Sequence, residues 1–422
     1  MELRFSNDIR TAQHGEYIAI GNEKTGHWIK LTKECYDIIR NAVLKQWSSA
    51  DLVADMSDQE DRQYMVELIE RLQNMRIIVS DEDTIENTVD NVTFCITNRC
   101  NLRCHHCSVS ASSDNSDYLS ESQTKRAIDS IVKCKPSSLT ISGGEPLVRR
   151  DFQSIIDYVR SVFGGKLYLM TNGTLINEKE AKFIAERFDN VSISLDGYDE
   201  KTTDFIRGQG AFIKAIRGIE NLKKAGFKDM STSMILSGNN RETIDRFKKL
   251  NNRMGTKPVF RTLAMVGRAE NNGDLLLDSE EGAFLRGNRE KDLKYNGKEK
   301  KRIIGTFTVC NAIENQFCIG ADGTIFPCAG AQLTEFSLGN IREIRDLSFF
   351  FQSGEYKETG GYKAFIRILP RYNSRCKDCH NNLFCFGCPV YHYVNTKQGI
   401  FDKFCDEQMR LLNECYWEMD SV

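Results

Sequence analysis

The sequence predicts an α/β protein whose central part is a parallel sheet that curls into a barrel. Between about residues 91 and 265, strand-like apolar runs alternate with amphipathic helical stretches. Repeated strand-helix units of this kind connect by right-handed crossovers, which makes the sheet parallel. Short polar motifs follow several of the strands, at the ends where barrels of this type carry their chemistry.

Length, charge and cysteine content narrow the class of protein further. The 422 residues suggest two or three domains, and the formal net charge of -2 gives no general reason to expect nucleic acid or an anionic membrane as a partner. No stretch approaches the ~20 apolar residues that span a bilayer, and the N-terminus lacks an apolar signal core. We therefore expect a cytoplasmic protein. Because cytosolic thiols are kept reduced, we expect the 15 cysteines to be metal ligands more often than partners in disulfides.

Residues 1–88 are predicted to form an N-terminal α+β domain. Strand-like runs at 16–20 and 27–31 flank a glycine-containing loop and predict a β-hairpin. Three helices should follow, beginning at Thr32, at Ser48 or Ser49, and at a capping-box sequence that starts with Ser57. A strand is expected at 77–79, and the acidic stretch 81–90 is predicted to be a linker.

This order of hairpin and helices resembles the winged-helix-like peptide-recognition element that precedes many maturases of ribosomally made peptides. The resemblance implies that the open edge of a small sheet accepts an unstructured leader peptide as an added strand. A packing domain or a dimer interface is the alternative for the same pattern.

Residues 89–305 are predicted to form the barrel. Helices in this part begin at capping residues such as Ser120 and Asn177 and end at glycines such as Gly255. The less regular, Lys- and Arg-rich stretch 267–305 is either a solvated insertion or a lid over the substrate. The expected strands are short apolar runs at 92–97, 138–141, 166–170, 190–195, 230–235 and 259–265.

The first strand of the barrel leads into three cysteines, Cys100, Cys104 and Cys107. Their spacing, Cys-x3-Cys-x2-Cys, lets three thiolates surround one corner of an iron-sulfur cube and leaves the fourth iron without a protein ligand. Soft thiolates also bind zinc, and His105 or His106 would supply the fourth ligand that a zinc ion needs. The choice between the two therefore depends on later residues.

Three polar motifs at the ends of later strands favour the iron-sulfur site. They are Ser142-Gly143-Gly144-Glu145-Pro146, Thr171-Asn172-Gly173 and Ser194-Leu195-Asp196-Gly197. Together with the cysteine triad, they resemble the radical S-adenosylmethionine (SAM) enzymes, in which such motifs occur in the same order. The resemblance implies a partial, TIM-like (β/α)6 barrel, a 4Fe-4S cluster on the triad, and SAM bound to the open iron.

The same resemblance assigns roles to the motif residues. Gly143 and Gly144 would let the backbone approach the methionine part of SAM, and Glu145 would bind the ammonium group. Ser194 and Asp196 are expected near the ribose hydroxyls. Asp196 is also suited to cap the next segment or to reach the substrate.

Four further residues carry an assignment of their own. Arg207 matches the position that meets the SAM carboxylate, whereas the alternative makes it an exposed loop arginine. Asn172 either contacts SAM or only forms the turn. His106 is expected to pack beside the adenine of SAM and not to bind metal, and Cys95 is expected to be a buried core thiol.

A second series of cysteines characterises residues 306–422. It resembles the SPASM extension, which binds two auxiliary 4Fe-4S clusters in radical SAM enzymes that modify peptides and proteins. Taken alone, two Cys-x2-Cys pairs would suit a zinc site. The members of the series are Cys310, Cys328, Cys376, Cys379, Cys385, Cys388 and Cys405.

By this resemblance, Cys310, Cys328 and Cys388 hold the auxiliary cluster nearer the barrel. Cys318 is an additional cysteine, which either completes that cluster or leaves it with an open iron for a substrate thiolate. The spacing between the last two cysteines of the second block is one residue shorter than usual. The remaining four cysteines would hold the distal cluster: Cys376, Cys379, Cys385 and Cys405.

These resemblances imply an enzyme that cleaves SAM reductively and abstracts hydrogen from a precursor peptide whose leader binds the N-terminal domain. Sactipeptide and ranthipeptide synthases are the class we favour, which implies thioether crosslinks from cysteine. A flavodoxin or ferredoxin would supply the electron. The alternatives are a carbon-carbon crosslinking cyclase of the streptide type, oxidation of a protein residue as in sulfatase maturation, and a zinc- or cluster-binding module without catalysis.

Overall fold

The computed structural model describes residues 2–79, 89–236, 243–273, 312–385 and 388–397, with residues 240, 310 and 399 and parts of 405–418. The strands in these ranges form sheets of two, three and nine strands. The predicted linker at 81–90 falls almost entirely outside the described residues, as does most of 267–305. Among the helices in these ranges, none combines the length and the apolar character needed to cross a bilayer.

The N-terminal unit is built on the three-stranded antiparallel sheet, with the predicted hairpin as two of its strands. The strand predicted at 77–79 is present at Ile78–Val79, and it pairs with a short strand, Arg4–Phe5, that the sequence analysis did not predict. The elements are β1 (Arg4–Phe5), β2 (Ile9–His14), β3 (Tyr17–Asn22), β4 (Trp28–Thr32), α1 (Lys33–Leu44), α2 (Ser49–Ala54), α3 (Gln59–Asn74) and β5 (Ile78–Val79).

Side-chain caps begin the three helices of this unit. The Thr32 hydroxyl accepts an amide hydrogen bond at the start of α1, and Ser48 forms a capping box at the start of α2. Helix α3 begins one residue later than its sequence motif suggests, because the carboxylate of Asp58 accepts the free amides and Ser57 does not act as the cap. The prediction of Ser57 as that cap was therefore wrong.

The barrel strands are parallel, as predicted, and they lie in the order β11-β10-β9-β8-β7-β6. Helices between them cover the outer face. The strands are β6 (Asn91–Cys95), β7 (Ser138–Ser142), β8 (Lys166–Thr171), β9 (Asn190–Ser194), β10 (Met230–Leu236) and β11 (Lys257–Thr262). The helices are α4 (Glu121–Lys133), α5 (Phe152–Val162), α6 (Glu178–Arg187), α7 (Glu200–Arg207), α8 (Ala211–Lys224) and α9 (Ile244–Met254).

The two faces of each barrel strand differ in character. On β6, Val92 and Phe94 are buried in the main apolar core under the helices. Thr93 and Cys95 alternate with them and line a cavity inside the barrel. Successive strand residues point to opposite faces, so an apolar outer face holds the helices while a mostly polar inner face is left for ligands.

The barrel sheet continues into the C-terminal segment, which the sequence analysis treated as a separate unit. Strand β12 (Gln316–Ile319) pairs in parallel with β6, and β13 (Thr324–Phe326) and β14 (Gly339–Asn340) extend the sheet in antiparallel fashion. The predicted hairpin around Gly323 is thus joined to the first barrel strand. The remaining helices are α10 (Leu347–Gln352), α11 (Gly360–Ile368) and α12 (Pro389–Lys397).

One face of the N-terminal sheet packs against the C-terminal segment. The Trp28 ring meets Phe384 edge-on at 4.6 Å between centroids, and Phe384 stacks on Tyr416 at 4.2 Å. Beside this apolar contact, Arg10 Nη2 donates to Asn382 Oδ1 at 2.5 Å. The N-terminal unit therefore contacts the loop that contains Cys376, Cys379 and Cys385, a contact no local sequence signal indicated.

Candidate active site

The three cysteines of the triad lie on one loop after β6, at the carboxyl end of the barrel strands. Cys100 and Cys104 are buried and Cys107 is half-buried. Backbone amides point at two of the sulfurs: Leu102 N lies 3.4 Å from Cys100 Sγ, and Ala111 N lies 3.3 Å from Cys107 Sγ. Hydrogen bonds of this kind stabilise thiolate ligands and tune the clusters that they bind.

Two side chains from other elements also place N–H donors near sulfur atoms of the triad. Arg207 Nη1 lies 3.9 Å from Cys104 Sγ, and Asn172 Nδ2 lies 3.8 Å from Cys100 Sγ. Burial raises the pKa of Cys100 to about 12. Burial also raises the pKa of Cys104, against the opposing effect of the Arg207 charge. Such thiols are poor free nucleophiles, and a metal that binds them must displace their protons.

The contacts of His106 bear on whether a zinc ion could occupy the triad. A structural zinc site needs a fourth ligand beside the three thiols. His106, one candidate for that ligand, has its Nε2 2.5 Å from Asp196 Oδ2 and is engaged there. Within the ranges that the structure describes, no group of three or more Cys, His, Asp or Glu side chains is arranged to hold one metal ion. The choice of a 4Fe-4S cube over zinc therefore still depends on the motifs at the other strand ends.

The two glycines after β7 hold the cysteine loop in place. Gly144 N donates to Thr97 O at 2.8 Å, and Glu145 N donates to Arg99 O at 2.8 Å. A Cβ atom on Gly144 would collide with the carbonyl of Arg99, and Gly143 has a φ of 146°. Backbone contacts and conformation within the chain itself therefore require glycine at both positions. Their predicted contact with the methionine part of SAM remains a prediction.

Glu145 is fully buried and ties the end of β7 to the end of β8. Its carboxylate accepts hydrogen bonds from Thr171 Oγ1 at 2.7 Å, Asn172 N at 2.7 Å and Leu147 N at 3.1 Å. Burial raises the pKa of this carboxyl, whereas the donors oppose that effect. Asn172 in turn donates to Asn101 Oδ1 at 2.9 Å, so this turn residue also contacts the cysteine loop.

Asp196 joins Arg207 and His106 in a buried charged group. Its Oδ2 lies 2.5 Å from Arg207 Nη2 and 2.5 Å from His106 Nε2, and its Oδ1 accepts from Ile235 N at 2.6 Å. Burial would raise the pKa of Asp196, but Arg207 and His106 hold it well below its usual range. Asp199, not Asp196, caps the following helix, so the capping alternative for Asp196 was wrong.

Arg207 is the last residue of α7 and is buried, which excludes the alternative of an exposed loop arginine. Its Nε and the Nδ1 of His106 are buried atoms without a hydrogen-bond partner among the described residues. A buried N–H such as Arg207 Nε normally finds an acceptor, whereas His106 Nδ1 donates or accepts according to the tautomer of the ring. A cofactor carboxylate or a cluster sulfide beside Cys104 would satisfy Arg207, so the site fits the implied groups. Ser194 ends β9 on the inner face of the barrel, and its predicted ribose contact remains a prediction.

Sequence analysis missed a clamp on the cysteine loop. Arg268 Nε donates to Cys104 O at 2.9 Å and its Nη2 donates to Ala111 O at 2.6 Å. Asn272 Nδ2 donates to His105 O at 3.1 Å. The first residues of the 267–305 stretch therefore pack on the cysteine loop, while most of the stretch, for which an insertion or a lid was expected, lies outside the described residues. The arginine itself was the only signal in the sequence. Because Arg268 lies 164 residues from Cys104, no local pattern indicates that the two residues are in contact.

The structure brings the auxiliary cysteines together in two groups. Burial and the nearby thiols of Cys328 and Cys388 raise the pKa of Cys310 to about 12. Burial and the nearby thiols of Cys405 and Cys379 raise the pKa of Cys376 to about 11. The assignment of these cysteines to a nearer and a distal cluster remains a prediction. Cys385 packs at the edge of the apolar contact with the N-terminal unit.

Cys318 is fully buried on β12 and its thiol shares a hydrogen bond with the thiol of Cys95. That hydrogen bond and burial raise its pKa well above the ordinary value. With Phe326, the two cysteines form a small buried cluster on the inner side of the sheet. Cys95 is thus buried, but it is paired with a second thiol, and the ligand role of Cys318 remains a prediction.

Replacing Asp196→Asn is expected to lower the melting temperature by about 5 °C or more. The change leaves Arg207 buried without its counter-charge, and loss of one partner of a buried pair costs about 3–5 kcal/mol. Differential scanning fluorimetry of anaerobically purified protein measures this. The control is Asp157→Asn, which removes an exposed partner of Arg187 and should cost no more than about 1 kcal/mol. Equal shifts in both variants would contradict the importance of the buried group.

Comparisons with known proteins agree with this site. The profile of the radical SAM superfamily matches residues 94–250, and that of the iron-sulfur cluster-binding SPASM domain matches residues 310–380. Mycofactocin maturase MftC of Mycolicibacterium smegmatis is 31% identical over 310 residues, which cover 70% of this chain and 76% of that protein.

Two solved structures share the fold. Streptococcus suis SuiB bound to precursor peptide SuiA has a TM-score of 0.56 at 16% identity and covers 93% of this chain and 96% of its own. The enzyme anSMEcpe with bound AdoMet has a TM-score of 0.55 at 21% identity and covers 78% of this chain and 100% of its own. The chain belongs to the radical SAM superfamily, with a 4Fe-4S cluster and SAM as cofactors and a SPASM domain for auxiliary clusters.

Proposed function

We propose that this radical SAM enzyme is a maturase that crosslinks a ribosomally synthesised precursor peptide by forming thioether bonds from cysteine. The observation that carries the proposal is the combination, in one chain, of the cysteine loop with an N-terminal α+β unit and a SPASM domain. The relative that matches 70% of the chain is named a maturase, and a structure with the same fold holds a precursor peptide.

The residues of the barrel mouth have distinct tasks in this proposal. Cys100, Cys104 and Cys107 hold the cluster, whose chemistry with SAM is reductive cleavage to a 5'-deoxyadenosyl radical that abstracts hydrogen. Arg207 places a fixed positive charge beside Cys104 and offers its free Nε to the SAM carboxylate. Asp196 holds Arg207 in that orientation. The buried surroundings exclude water, which protects reactive species formed there.

The leader peptide is proposed to bind the N-terminal unit. Strands β2 and β4 are the two edges of its sheet, and neither pairs with a further strand in the described ranges. An exposed edge can receive an extended peptide through main-chain hydrogen bonds. A groove of about 630 Å³ between α2 and α3, lined by Val53, Val66 and Ile69 among others, offers an apolar surface on the same unit. The external electron donor is proposed to be a flavodoxin or ferredoxin.

The auxiliary ligand set favours a thioether over a carbon-carbon bond. Cys310, Cys328 and Cys388 lie near one another. Cys318 also lies near Cys328, but its thiol is engaged with the thiol of Cys95. Three ligands leave one position of a cubane for a group from the substrate, and a cysteine thiolate is the chemically suited group. A streptide-type carbon-carbon cyclase remains the second candidate, because the same combination of a radical SAM barrel and a SPASM domain suits either type of bond.

The test uses anaerobically reconstituted full-length enzyme, SAM, a reductant and the peptide encoded by the short reading frame beside the gene. Mass spectrometry should show the loss of two hydrogen atoms for each crosslink. A thioether protects its cysteine from iodoacetamide, whereas a carbon-carbon crosslink leaves every cysteine open to alkylation. Formation of 5'-deoxyadenosine with an unchanged peptide would refute the proposed function, and stoichiometric zinc in place of iron would remove the mechanism.

A further inference from the structure

The barrel encloses a cavity of about 550 Å³ next to the cysteine loop. Its wall includes inward-facing residues of several strands, such as Thr93, Ser142 and Met170. Nearly all of its lining is neutral. Among the described residues, only Arg261 and Asp322 bring a charged side chain to this wall. A cavity of this size can enclose a substrate side chain or chain end beside bound SAM.

Arg261 is directed into this cavity by the alternation of strand β11. The preceding residue, Phe260, packs outward against Phe247 of α9, with 5.8 Å between ring centroids. Because neighbouring strand residues face opposite sides, Arg261 faces the inside of the barrel. Among the described residues, none forms a hydrogen bond or an ion pair with its guanidinium. Its five donors are thus available to a ligand.

The nearby carboxylates are already occupied. Asp322 accepts hydrogen bonds from Thr324 N at 3.0 Å and from Thr324 Oγ1 at 2.8 Å, which closes its own turn. Asp196 is held by Arg207 and His106, as described above. Arg261 is solvent-exposed by its surface area, yet desolvation by the surrounding cavity wall lowers the pKa of its guanidinium, with a smaller opposing effect from the charge of Asp196. An arginine nevertheless stays protonated, so the cavity keeps a positive charge with which no described carboxylate forms an ion pair.

We propose that Arg261 binds a carboxylate of the peptide substrate inside the barrel. A guanidinium forms two parallel hydrogen bonds with a carboxylate, and such charge-assisted pairs are strong and directional. This inference rests on the proposed function for the nature of the substrate. The carboxylate belongs either to an acidic side chain or to the C-terminus of the peptide, and the two sources present the same chemistry to Arg261.

Four small probes test the proposal on iron-loaded, oxidised, SAM-bound enzyme. N-acetylglycine carries a chain-terminal carboxylate and N-acetylaspartic acid α-amide carries a side-chain carboxylate. N-acetylglycinamide and N-acetylasparagine amide are their neutral counterparts. Saturation-transfer NMR titrations give each Kd. We expect the wild-type enzyme to bind at least one carboxylate probe about tenfold or more tightly than its amide, and the preferred probe identifies the source.

The variants decide whether Arg261 is responsible. Arg261→Gln should abolish the carboxylate preference and Arg261→Lys should keep part of it. Arg217→Gln, at an exposed position on α8, should behave like the wild type. No preference in the wild type, or an unchanged preference in Arg261→Gln, would overturn the proposal. A tenfold weaker affinity for SAM in Arg261→Gln, measured by equilibrium dialysis, would assign the residue to the cofactor and overturn it as well. Peptide crosslinking by the wild type is measured separately, so the two proposals fail independently.

Discussion

Cys104→Ala is expected to abolish the formation of 5'-deoxyadenosine from SAM. Cys104 is the central thiol of the triad, it is buried, and its sulfur faces the guanidinium of Arg207 at 3.9 Å. Two remaining thiols cannot hold a cluster corner that is built for three. Loss of an outer partner of a metal site already costs about 10- to 100-fold, so loss of a ligand should reduce the rate by more than about 100-fold. Liquid chromatography after anaerobic incubation with SAM and dithionite measures the product.

The matched control is Cys134→Ala. Cys134 lies at the C-terminal end of α4, where its thiol donates to Ser130 O at 3.6 Å and burial raises its pKa to about 12. It is therefore a half-buried cysteine outside the triad, and its loss should leave the iron content and SAM cleavage intact. Wild-type SAM cleavage in Cys104→Ala would show that the triad does not hold the reacting cluster.

The barrel was predictable because its signals are local. Each strand is a short apolar run, and several helices carry their own caps, as at Ser120, whose hydroxyl and Gln123 form the expected capping box. The motif residues follow strand ends, so a parallel sheet necessarily brings them to one edge. Strand boundaries were less exact: the last barrel strand ends at Thr262, whereas the apolar run continues to Met265.

Contacts between distant parts of the chain were not predictable in the same way. Asp196 and Asp199 have the same side chain and both follow β9, yet one closes a buried charged group and the other caps α7. The two roles differ only because the fold brings Arg207 and His106 into contact with Asp196. Likewise, the pairing of Cys318 with Cys95 follows from the parallel register of β12 with β6, which joins segments more than 200 residues apart.

The contact between the N-terminal sheet and the C-terminal segment changes how the N-terminal unit can be tested. Deletion of this unit would remove the proposed leader site, but it would also expose Phe384 and Tyr416 and remove the Arg10 contact to Asn382. Asn382 Nδ2 itself donates to Cys376 O at 3.1 Å. A truncated enzyme would therefore lose support for the distal ligand loop together with the leader site.

A point variant separates the two effects, and we expect Trp28→Ala to lose the distal auxiliary cluster. Trp28 is buried against Phe384, next in sequence to Cys385, and truncation of a buried aromatic residue costs about 3–5 kcal/mol. The lost stability would weaken the loop that contains three of the four predicted ligands of the distal cluster. Iron per chain after anaerobic desalting should drop by about four atoms, the content of one cubane, while SAM cleavage at the separate barrel site remains measurable.

The matched control for this variant is Trp47→Ala, which truncates a partly buried tryptophan in the core of the same N-terminal unit, away from the C-terminal segment. It should destabilise the unit but keep the full iron content. Equal iron in all three proteins would show that the distal loop needs no support from the N-terminal sheet. An equal loss from both variants would mean that general unfolding of the unit, and not the Trp28 contact, governs the cluster. Loss from Trp28→Ala alone would make the N-terminal sheet a structural part of the distal ligand site.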